Sequence, residues 1–178
     1  MTTYTIEPQT PVELETGQSS LPIPSPQDLR DQIPCRATIK ELVSSSREEI
    51  QNILRGLDEH RLLVVCGPCS IHDTSGAFDY AQRLAKLGSE VREDILLVMR
   101  TYFEKPRSIV GWKGLLYDPE LEGSSAAVGG LCVARRILAS IAELGLPCAT
   151  EYLNPMLAPY QEDFLSYGSI GARTVESQ

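Results

Sequence analysis

The stretch LLVVCGPCSIHDTSGAFDYAQRLAKLGSEVREDILLVMR, residues 62–100, decides the fold class. It opens with an apolar run at 62–66 without polar alternation, which is typical of a strand buried on both faces. A Gly-Pro pair ends that run. Residues 75–92 then place apolar side chains on one stripe at helical spacing, and a second apolar run follows at 95–99. The stretch therefore predicts a strand–helix–strand unit.

The same alternation continues toward the end of the chain. Residues 130–144 have the spacing of another amphipathic helix, and residues 148–153 predict a third strand. A further helix is predicted at 156–167 and a fourth strand at 169–172. Because each crossover helix returns the chain to the same end of the sheet, the strands must be parallel. The fold class is α/β, and both a barrel and a doubly wound sheet are open at this point.

The N-terminal region has a different composition. Prolines recur among Thr, Ser, Gln and Glu through residue 34, so residues 1–44 are predicted to form a largely flexible extension. A serine at positions 44–46 is predicted to cap a helix that ends near residues 56–58. Residues 45–178 are then expected to form one domain.

Composition excludes several classes of function. The chain has 178 residues and a formal net charge of -8, which argues against binding nucleic acid or an anionic membrane surface. No apolar run approaches the roughly 20 residues of a membrane span, and the first residues lack the order of a signal peptide. We therefore expect a soluble, cytoplasmic protein. Its five cysteines, irregularly spaced, are expected to be reduced thiols.

Polar side chains gather after the predicted strands. Cys69 and His72 follow the first, a loop of cations follows the second, Glu151 lies within the third and Arg173 follows the fourth. The carboxyl ends of parallel strands form the site in barrels and in doubly wound sheets, so these residues should converge. The loop of cations suits phosphate and carboxylate groups. Its members are Arg100, Lys105, Arg107 and Lys113.

The sequence Cys66-Gly67-Pro68-Cys69 has three interpretations. It is a strand-end turn with an incidental thiol, the beginning of a divalent-metal site, or a redox pair of the thioredoxin type. The redox interpretation is disfavoured because Val65 precedes the first cysteine where a tryptophan is common, and because residues 70–75 delay the helix.

Three long segments carry a resemblance to a known family. They are RLLVVCGPCSIHD (61–73), VMRTYFEKPRSIVGWKGLLYDP (98–119) and LPCATEYLNPMLAPYQEDFLSYGSIGARTVESQ (146–178). In order and spacing they resemble class I 3-deoxy-D-arabino-heptulosonate 7-phosphate (DAHP) synthases of the microbial and fungal type. The resemblance implies a (β/α)8 TIM barrel that condenses phosphoenolpyruvate with erythrose 4-phosphate, at the start of aromatic amino-acid biosynthesis. It also implies a divalent metal, Mn, Fe, Zn or Co.

The resemblance assigns roles to individual positions. Cys69 matches the cysteine metal ligand, and Arg100 and Lys105 match the catalytic cations; His72 and Asp73 belong to the motif but are not expected to be ligands. The matched phosphoenolpyruvate residues are Arg100, Lys105, Glu151, Gly171, Ala172 and Arg173. The matched erythrose 4-phosphate residues are Lys105, Pro106, Arg107 and Ser108, where Ser108 replaces the usual threonine and keeps its hydroxyl.

The resemblance also raises an expectation about length. Family members are about twice as long, so the chain is expected to hold the N-terminal half of the barrel, with about four β/α units, an incompletely liganded metal and no detectable synthase activity alone. The expected partner is another copy of the chain or a full-length homologue, and feedback inhibition by an aromatic amino acid is implied. The alternative is a non-catalytic half-barrel that associates with, or regulates, a full-length synthase.

Overall fold

A computed structural model describes residues 23–107, 111–122 and 127–174. Its helices are α1 (Pro26–Gln32), α2 (Ala37–Leu54), α3 (Thr74–Glu90) and α4 (Ala127–Glu143), and its strands are β1 (Leu62–Cys66), β2 (Ile95–Arg100), β3 (Cys148–Tyr152) and β4 (Tyr167–Ile170). Two short 3₁₀ segments, Pro155–Tyr160 and Glu162–Phe164, lie between β3 and β4. Among the helices in these ranges, none is long and apolar enough to cross a membrane.

The four strands form one parallel sheet in the order β1-β2-β3-β4. Each crossover therefore moves the chain one strand further in the same direction. A doubly wound sheet reverses its strand order at a switch point, whereas a barrel does not. The predicted α/β class is confirmed, and the order of the strands is that of a partial TIM barrel.

Strand β2 carries the core of the sheet on both of its faces. Leu97 and Met99 belong to the larger apolar cluster, which includes the buried residues of α3 and α4. Leu96 and Val98 point to the opposite face, where they form a smaller cluster with Ile50 of α2. Helix α2 thus covers part of the face that α3 and α4 leave open.

The prediction that the first strand is buried on both faces is wrong. In β1, Leu62 is 68% exposed and Val65 is 40% exposed. Among the described strands, β1 pairs with β2 alone, so its other edge has no neighbouring strand. An unbroken apolar run indicates a strand, but it does not indicate whether that strand lies at the centre or at the edge of the sheet.

The helix predicted to start at a serine in positions 44–46 begins earlier, at Ala37. The Ser46 hydroxyl does not cap it; this hydroxyl donates to the carbonyl of Leu42 within the helix and lies 2.6 Å from the Ser166 hydroxyl. Within the predicted extension, residues 23–44 contain α1, which the sequence pattern did not predict, and the first part of α2. The flexibility predicted for residues 1–22 lies outside the described residues, and the division at residue 44 stays a prediction.

The helix predicted at 156–167 is also wrong. The two 3₁₀ segments occupy this region, and Pro159 lies inside the first of them, where it has no N–H to donate to a helical hydrogen bond. Strand β4 begins at Tyr167, two residues before the predicted start, because the backbone N–H of Ser166 already donates to the carbonyl of Cys148.

A buried arginine fastens this irregular region to the helices. Arg135 of α4 is 0% exposed and makes two hydrogen bonds to the Asp163 carboxylate, at 2.6 and 2.7 Å. It also donates to the carbonyls of Ile33 and Tyr160 and lies over the Phe164 ring. One side chain therefore joins the end of α1, α4 and both 3₁₀ segments.

Candidate active site

The ends of β1 and β2 approach each other closely enough to require a glycine. A Cβ atom at Gly67 would lie 2.6 Å from the carbonyl oxygen and 2.9 Å from the Cβ of Arg100. Beyond this point, the backbone N–H of Ile71 donates to the carbonyl of Tyr102 at 2.8 Å. The turn after β1 is thus held directly against the segment after β2, and this contact brings Cys69 beside the cations.

Arg100, the last residue of β2, is fixed by two contacts. Its guanidinium donates to the carbonyl of Cys69 at 3.1 Å, and its central carbon lies 3.6 Å from the centre of the Tyr102 ring. Its Nε is buried and has no hydrogen-bond partner within the described ranges. A buried guanidinium donor that lacks a partner is costly unless a ligand accepts its hydrogen bond. Arg100 is therefore held ready to donate to an anion.

Lys105 lies against the thiol of Cys69. Its Nζ is 2.8 Å from the Sγ, and this hydrogen bond is the main cause of a lowered pKa at Cys69. The positive charges of Lys105, Arg100 and Arg107 lower the pKa further. The thiolate is thus favoured at an exposed position at the carboxyl edge of the sheet.

Glu104 is a buried carboxylate beside this cluster. It is 6% exposed and accepts hydrogen bonds from the Tyr117 hydroxyl at 3.0 Å and from the backbone N–H groups of Leu153 and Asn154 at 3.0 and 3.5 Å. Burial raises the pKa of Glu104 in spite of these hydrogen bonds, and the negative charge of Glu151 adds to the increase. Sequence reasoning missed this residue, because no local pattern separates a buried acid from an exposed one.

Glu151 and Gly171 lie together at the ends of β3 and β4. The backbone N–H of Gly171 donates to the carbonyl of Tyr152 at 2.9 Å, and a Cβ atom at Gly171 would lie 2.9 Å from the Glu151 Oε1. Ala172 and Arg173 follow directly in the turn after β4 and are exposed. These residues lie at the same edge of the sheet as Cys69, because all four strands are parallel.

Exposure increases along the segment after Lys105. Pro106 is partly buried, whereas Arg107 is exposed, and its Nε would lie 3.1 Å from a Cβ atom at Gly111. Gly111 has a φ of 124°, which a residue with a side chain rarely adopts. Ser108, which the resemblance assigns to erythrose 4-phosphate, lies outside the described residues.

Two polar neighbours of Cys69 have structural contacts. Asp73 caps α3 by accepting hydrogen bonds from the backbone N–H groups of Ser75 and Gly76. The ring of His72 packs edge-on against Trp112, with 6.4 Å between the ring centres. Over the described ranges, no three His, Cys, Asp or Glu side chains form a group that could hold a metal ion. Cys69 is the thiol that fits as one ligand.

The cysteines of the chain are free thiols, including Cys66 and Cys69. Helix α3 begins at Thr74, five residues beyond Cys69, whereas the helix of a thioredoxin-type motif begins within the motif. This geometry does not favour the redox interpretation.

Comparison with known proteins found a family model that matches most of this chain. The model of the DAHP synthetase I family matches residues 35–178. The chain belongs to that family. This membership confirms the resemblance carried by the three signature segments, and those segments contain Cys69, Arg100, Lys105 and Glu151.

Several members of the family are similar over most of this chain. A phospho-2-dehydro-3-deoxyheptonate aldolase from Amycolatopsis methanolica is 48% identical over 157 residues, which cover 88% of this chain and 77% of the relative. The Tyr-sensitive aldolase of Escherichia coli K12 is 47% identical over 154 residues, 86% of this chain and 43% of the relative. The Trp-sensitive aldolase of Buchnera aphidicola subsp. Baizongia pistaciae is 46% identical over 157 residues, which cover 88% of this chain and 45% of the relative.

A solved structure shares the fold. The phospho-2-dehydro-3-deoxyheptonate aldolase of Francisella tularensis SCHU S4 superposes with a TM-score of 0.82 at 45% identity, covering 90% of this chain and 47% of that structure's chain. The chain thus spans about half the length of this family member and of the E. coli and Buchnera relatives.

Proposed function

We propose that this chain contributes to the active site of a DAHP synthase, which condenses phosphoenolpyruvate and erythrose 4-phosphate with water to give DAHP and phosphate. The observation that supports the proposal most strongly is the cluster of Arg100, Lys105 and Cys69, joined by hydrogen bonds at the carboxyl edge of a barrel-type sheet. Both substrates carry phosphate, and an acidic chain can hold them where it concentrates its cations.

Phosphoenolpyruvate is assigned to the cations nearest the sheet. The fixed guanidinium of Arg100 has a buried donor available for a carboxylate or phosphate oxygen, and Lys105 adds a point charge beside it. By family membership, Glu151 and Arg173 and the backbone of Gly171 and Ala172 complete the contacts to this substrate. Arg100 and Lys105 also stabilise the negative charge that the phosphate group gains as its bond to phosphoenolpyruvate carbon breaks.

Erythrose 4-phosphate is assigned to the segment that begins at Lys105. Lys105, Pro106, Arg107 and Ser108 are consecutive, so one short segment supplies an ammonium, a guanidinium and a hydroxyl. Lys105 belongs to both sets and lies between them. This position suits a residue that aligns two reacting substrates.

A divalent metal fits Cys69 as one of its ligands. The thiol is exposed, and its lowered pKa favours the thiolate that Mn, Fe, Zn or Co would bind. The Lys105 ammonium lies within hydrogen-bond distance of this sulfur, so a bound metal would share the thiolate with it. A metal held there would supply Lewis-acid polarisation of the erythrose 4-phosphate aldehyde. Any further ligands would come from outside the described residues.

Regulation by an aromatic amino acid is part of the proposal. The names of the Buchnera and E. coli relatives describe them as Trp-sensitive and Tyr-sensitive. Assays with Trp, Tyr and Phe added one at a time would identify the inhibitor, and no effect from any of them would refute this part. Assembly with another copy or a full-length homologue, and location in the cytoplasm, stay predictions.

The proposed activity is tested by measuring DAHP formation from the two substrates with a divalent metal present. Arg100→Gln should lower kcat/KM about a hundredfold, as expected for the loss of a charged donor that acts on developing charge. Arg136→Gln, an exposed arginine of α4, is the matched control and should be unchanged. Because the chain alone is expected to form no detectable DAHP, the assay uses an active assembly that contains it. Equal rates there for Arg100→Gln and the Arg136→Gln control would refute the proposal.

A further inference from the structure

Glu104 forms a bridge between two segments that follow different strands. The Tyr117 hydroxyl reaches its Oε1 from the loop after β2, and the N–H of Leu153 reaches its Oε2 from the end of β3. We propose that Glu104 is a positioning residue that sets the place of Lys105 and Arg107 for erythrose 4-phosphate. This inference rests on the proposed function, and it gives Glu104 no direct contact with substrate.

The backbone on either side of Glu104 is fixed as well. The N–H of Lys105 donates to the carbonyl of Lys113 at 2.9 Å, and the N–H of Leu116 donates to the carbonyl of Phe103 at 3.2 Å. Gly114 packs so closely against Phe103 and Glu104 that a Cβ atom there would collide with the carbonyl oxygen of Phe103. The side chain of Glu104 therefore joins a locally rigid segment to β3, and Lys105 is the next residue.

Arg100 is held by a separate set of contacts. Its partners are the carbonyl of Cys69 and the ring of Tyr102, and Glu104 is not among them. Loss of the Glu104 bridge should therefore disturb the segment that begins at Lys105 and leave Arg100 in place. The disturbed segment supplies Lys105 and Arg107 to erythrose 4-phosphate but only Lys105 to phosphoenolpyruvate, which Arg100 still holds. Since small displacements of a binding group reduce rates strongly, erythrose 4-phosphate should be affected more.

Two substitutions separate the position of this side chain from its charge. Glu104→Ala removes all the acceptors, whereas Glu104→Gln keeps a carbonyl oxygen for the Leu153 N–H and an amide for the Tyr117 hydroxyl. Arg135→Met is the control for loss of stability alone, because Arg135 is buried among α1, α4 and the 3₁₀ segments and touches none of the cations.

Steady-state kinetics of the active protein test the inference. Glu104→Ala should raise the KM for erythrose 4-phosphate about tenfold and the KM for phosphoenolpyruvate less than about threefold, and Glu104→Gln should restore both to within about twofold of the parent. Arg135→Met should lower Tm and leave both KM values unchanged. Equal effects of Glu104→Ala on the two substrates, or a lowered Tm with no change in either KM, would overturn the inference.

Hydrogen exchange of peptides that cover residues 101–107 distinguishes failure of this inference from failure of the proposed function. Exchange should become faster in Glu104→Ala and remain at the parent rate in Glu104→Gln and Arg135→Met. If Arg100→Gln has the same kinetics as the parent in an active assembly, the proposed function fails, and the exchange result alone decides whether Glu104 holds the segment. Unchanged exchange in Glu104→Ala overturns the inference whether or not the protein is active.

Discussion

The Nζ atom of Lys105 lies 2.8 Å from the Sγ atom of Cys69, and this contact joins the segments that follow β2 and β1. These two residues are 36 positions apart in sequence, and the parallel pairing of the two strands brings them together. The contact places a favoured thiolate and a cation at one edge of the sheet. A substitution of Lys105 should therefore change the reactivity of Cys69.

The first prediction concerns the reactivity of Cys69. The thiolate is the nucleophile, so the rate of alkylation by iodoacetamide rises with pH until the pKa of the thiol and is constant above it. Since Lys105 lowers the pKa of Cys69, the plateau should begin at a lower pH than for an ordinary thiol, and Lys105→Met should move it upward. Mass spectrometry of the Cys69 peptide in metal-free buffer measures both profiles.

Cys148 is the internal control for this measurement. Complete burial raises its pKa to about 12, so it should remain unmodified through neutral pH. Superimposable profiles for Cys69 in the parent and in Lys105→Met would show that the ammonium does not act on the thiol.

A second prediction tests the close approach of β1 and β2. Gly67→Ala should lower the free energy of unfolding by about 2 kcal/mol, because the added methyl group overlaps the backbone of Arg100. Gly88→Ala, within helix α3, is the matched control. A Cβ atom at Gly88 would meet only the side chain of Leu97, at 3.8 Å. It should be neutral or more stable by up to about 1 kcal/mol. Urea unfolding of both variants gives the comparison, and equal stabilities would be inconsistent with the contact.

The third prediction concerns the buried arginine. Arg135→Met leaves the Asp163 carboxylate and two carbonyl groups without their donor, so the free energy of unfolding should fall by about 3 kcal/mol. Arg136→Met, at the exposed neighbouring position, should change it by no more than about 0.5 kcal/mol. Denaturant titrations at constant pH measure both, and a loss below about 1 kcal/mol for Arg135→Met would mean that the network contributes little.

The fourth prediction is a dependence of stability on pH. The pKa of Glu104 is higher in the folded protein than its ordinary value of 4.5, so the folded state binds this proton more tightly than the unfolded state. The resulting stabilisation is fully present below pH 4.5 and is lost as the pH rises through the folded pKa. Glu104→Gln lacks this titration.

The difference in unfolding free energy between parent and Glu104→Gln should therefore change in favour of the variant as pH rises, and then become constant. Urea unfolding at a series of pH values measures it. A difference that is independent of pH, or that changes in favour of the parent, would contradict the direction of the pKa shift.

Periodicity predicted β1, β2, α3 and α4 well, whereas it missed α1 and predicted a helix where the 3₁₀ segments lie. The apolar runs at 62–66 and 95–99 are β1 and most of β2, and the amphipathic stripes at 75–92 and 130–144 match α3 and α4 to within three residues. It did not predict that β1 is exposed, because burial of a strand depends on its neighbours in the sheet. The serines near position 45 resembled a helix cap, but the hydroxyl of Ser46 bonds within the helix and to Ser166.

The candidate site was predictable to a similar degree. Cys69, Arg100 and Lys105 could be expected to meet because they follow strands of one parallel sheet. Glu104 could not be found in this way, since its partner Leu153 lies 49 positions away and the hydrogen bond joins a side chain to a backbone N–H. No spacing or composition in the sequence records such a bond.

The most direct test of the central claim is calorimetric titration of phosphoenolpyruvate into the purified protein and into Arg100→Gln and Lys105→Met. If Arg100 and Lys105 hold this substrate, the parent should bind it, each variant should bind at least about tenfold more weakly, and added salt should weaken binding by the parent. Arg136→Gln should bind as the parent does. No binding by the folded parent, or equal affinity in all four proteins, would contradict the account.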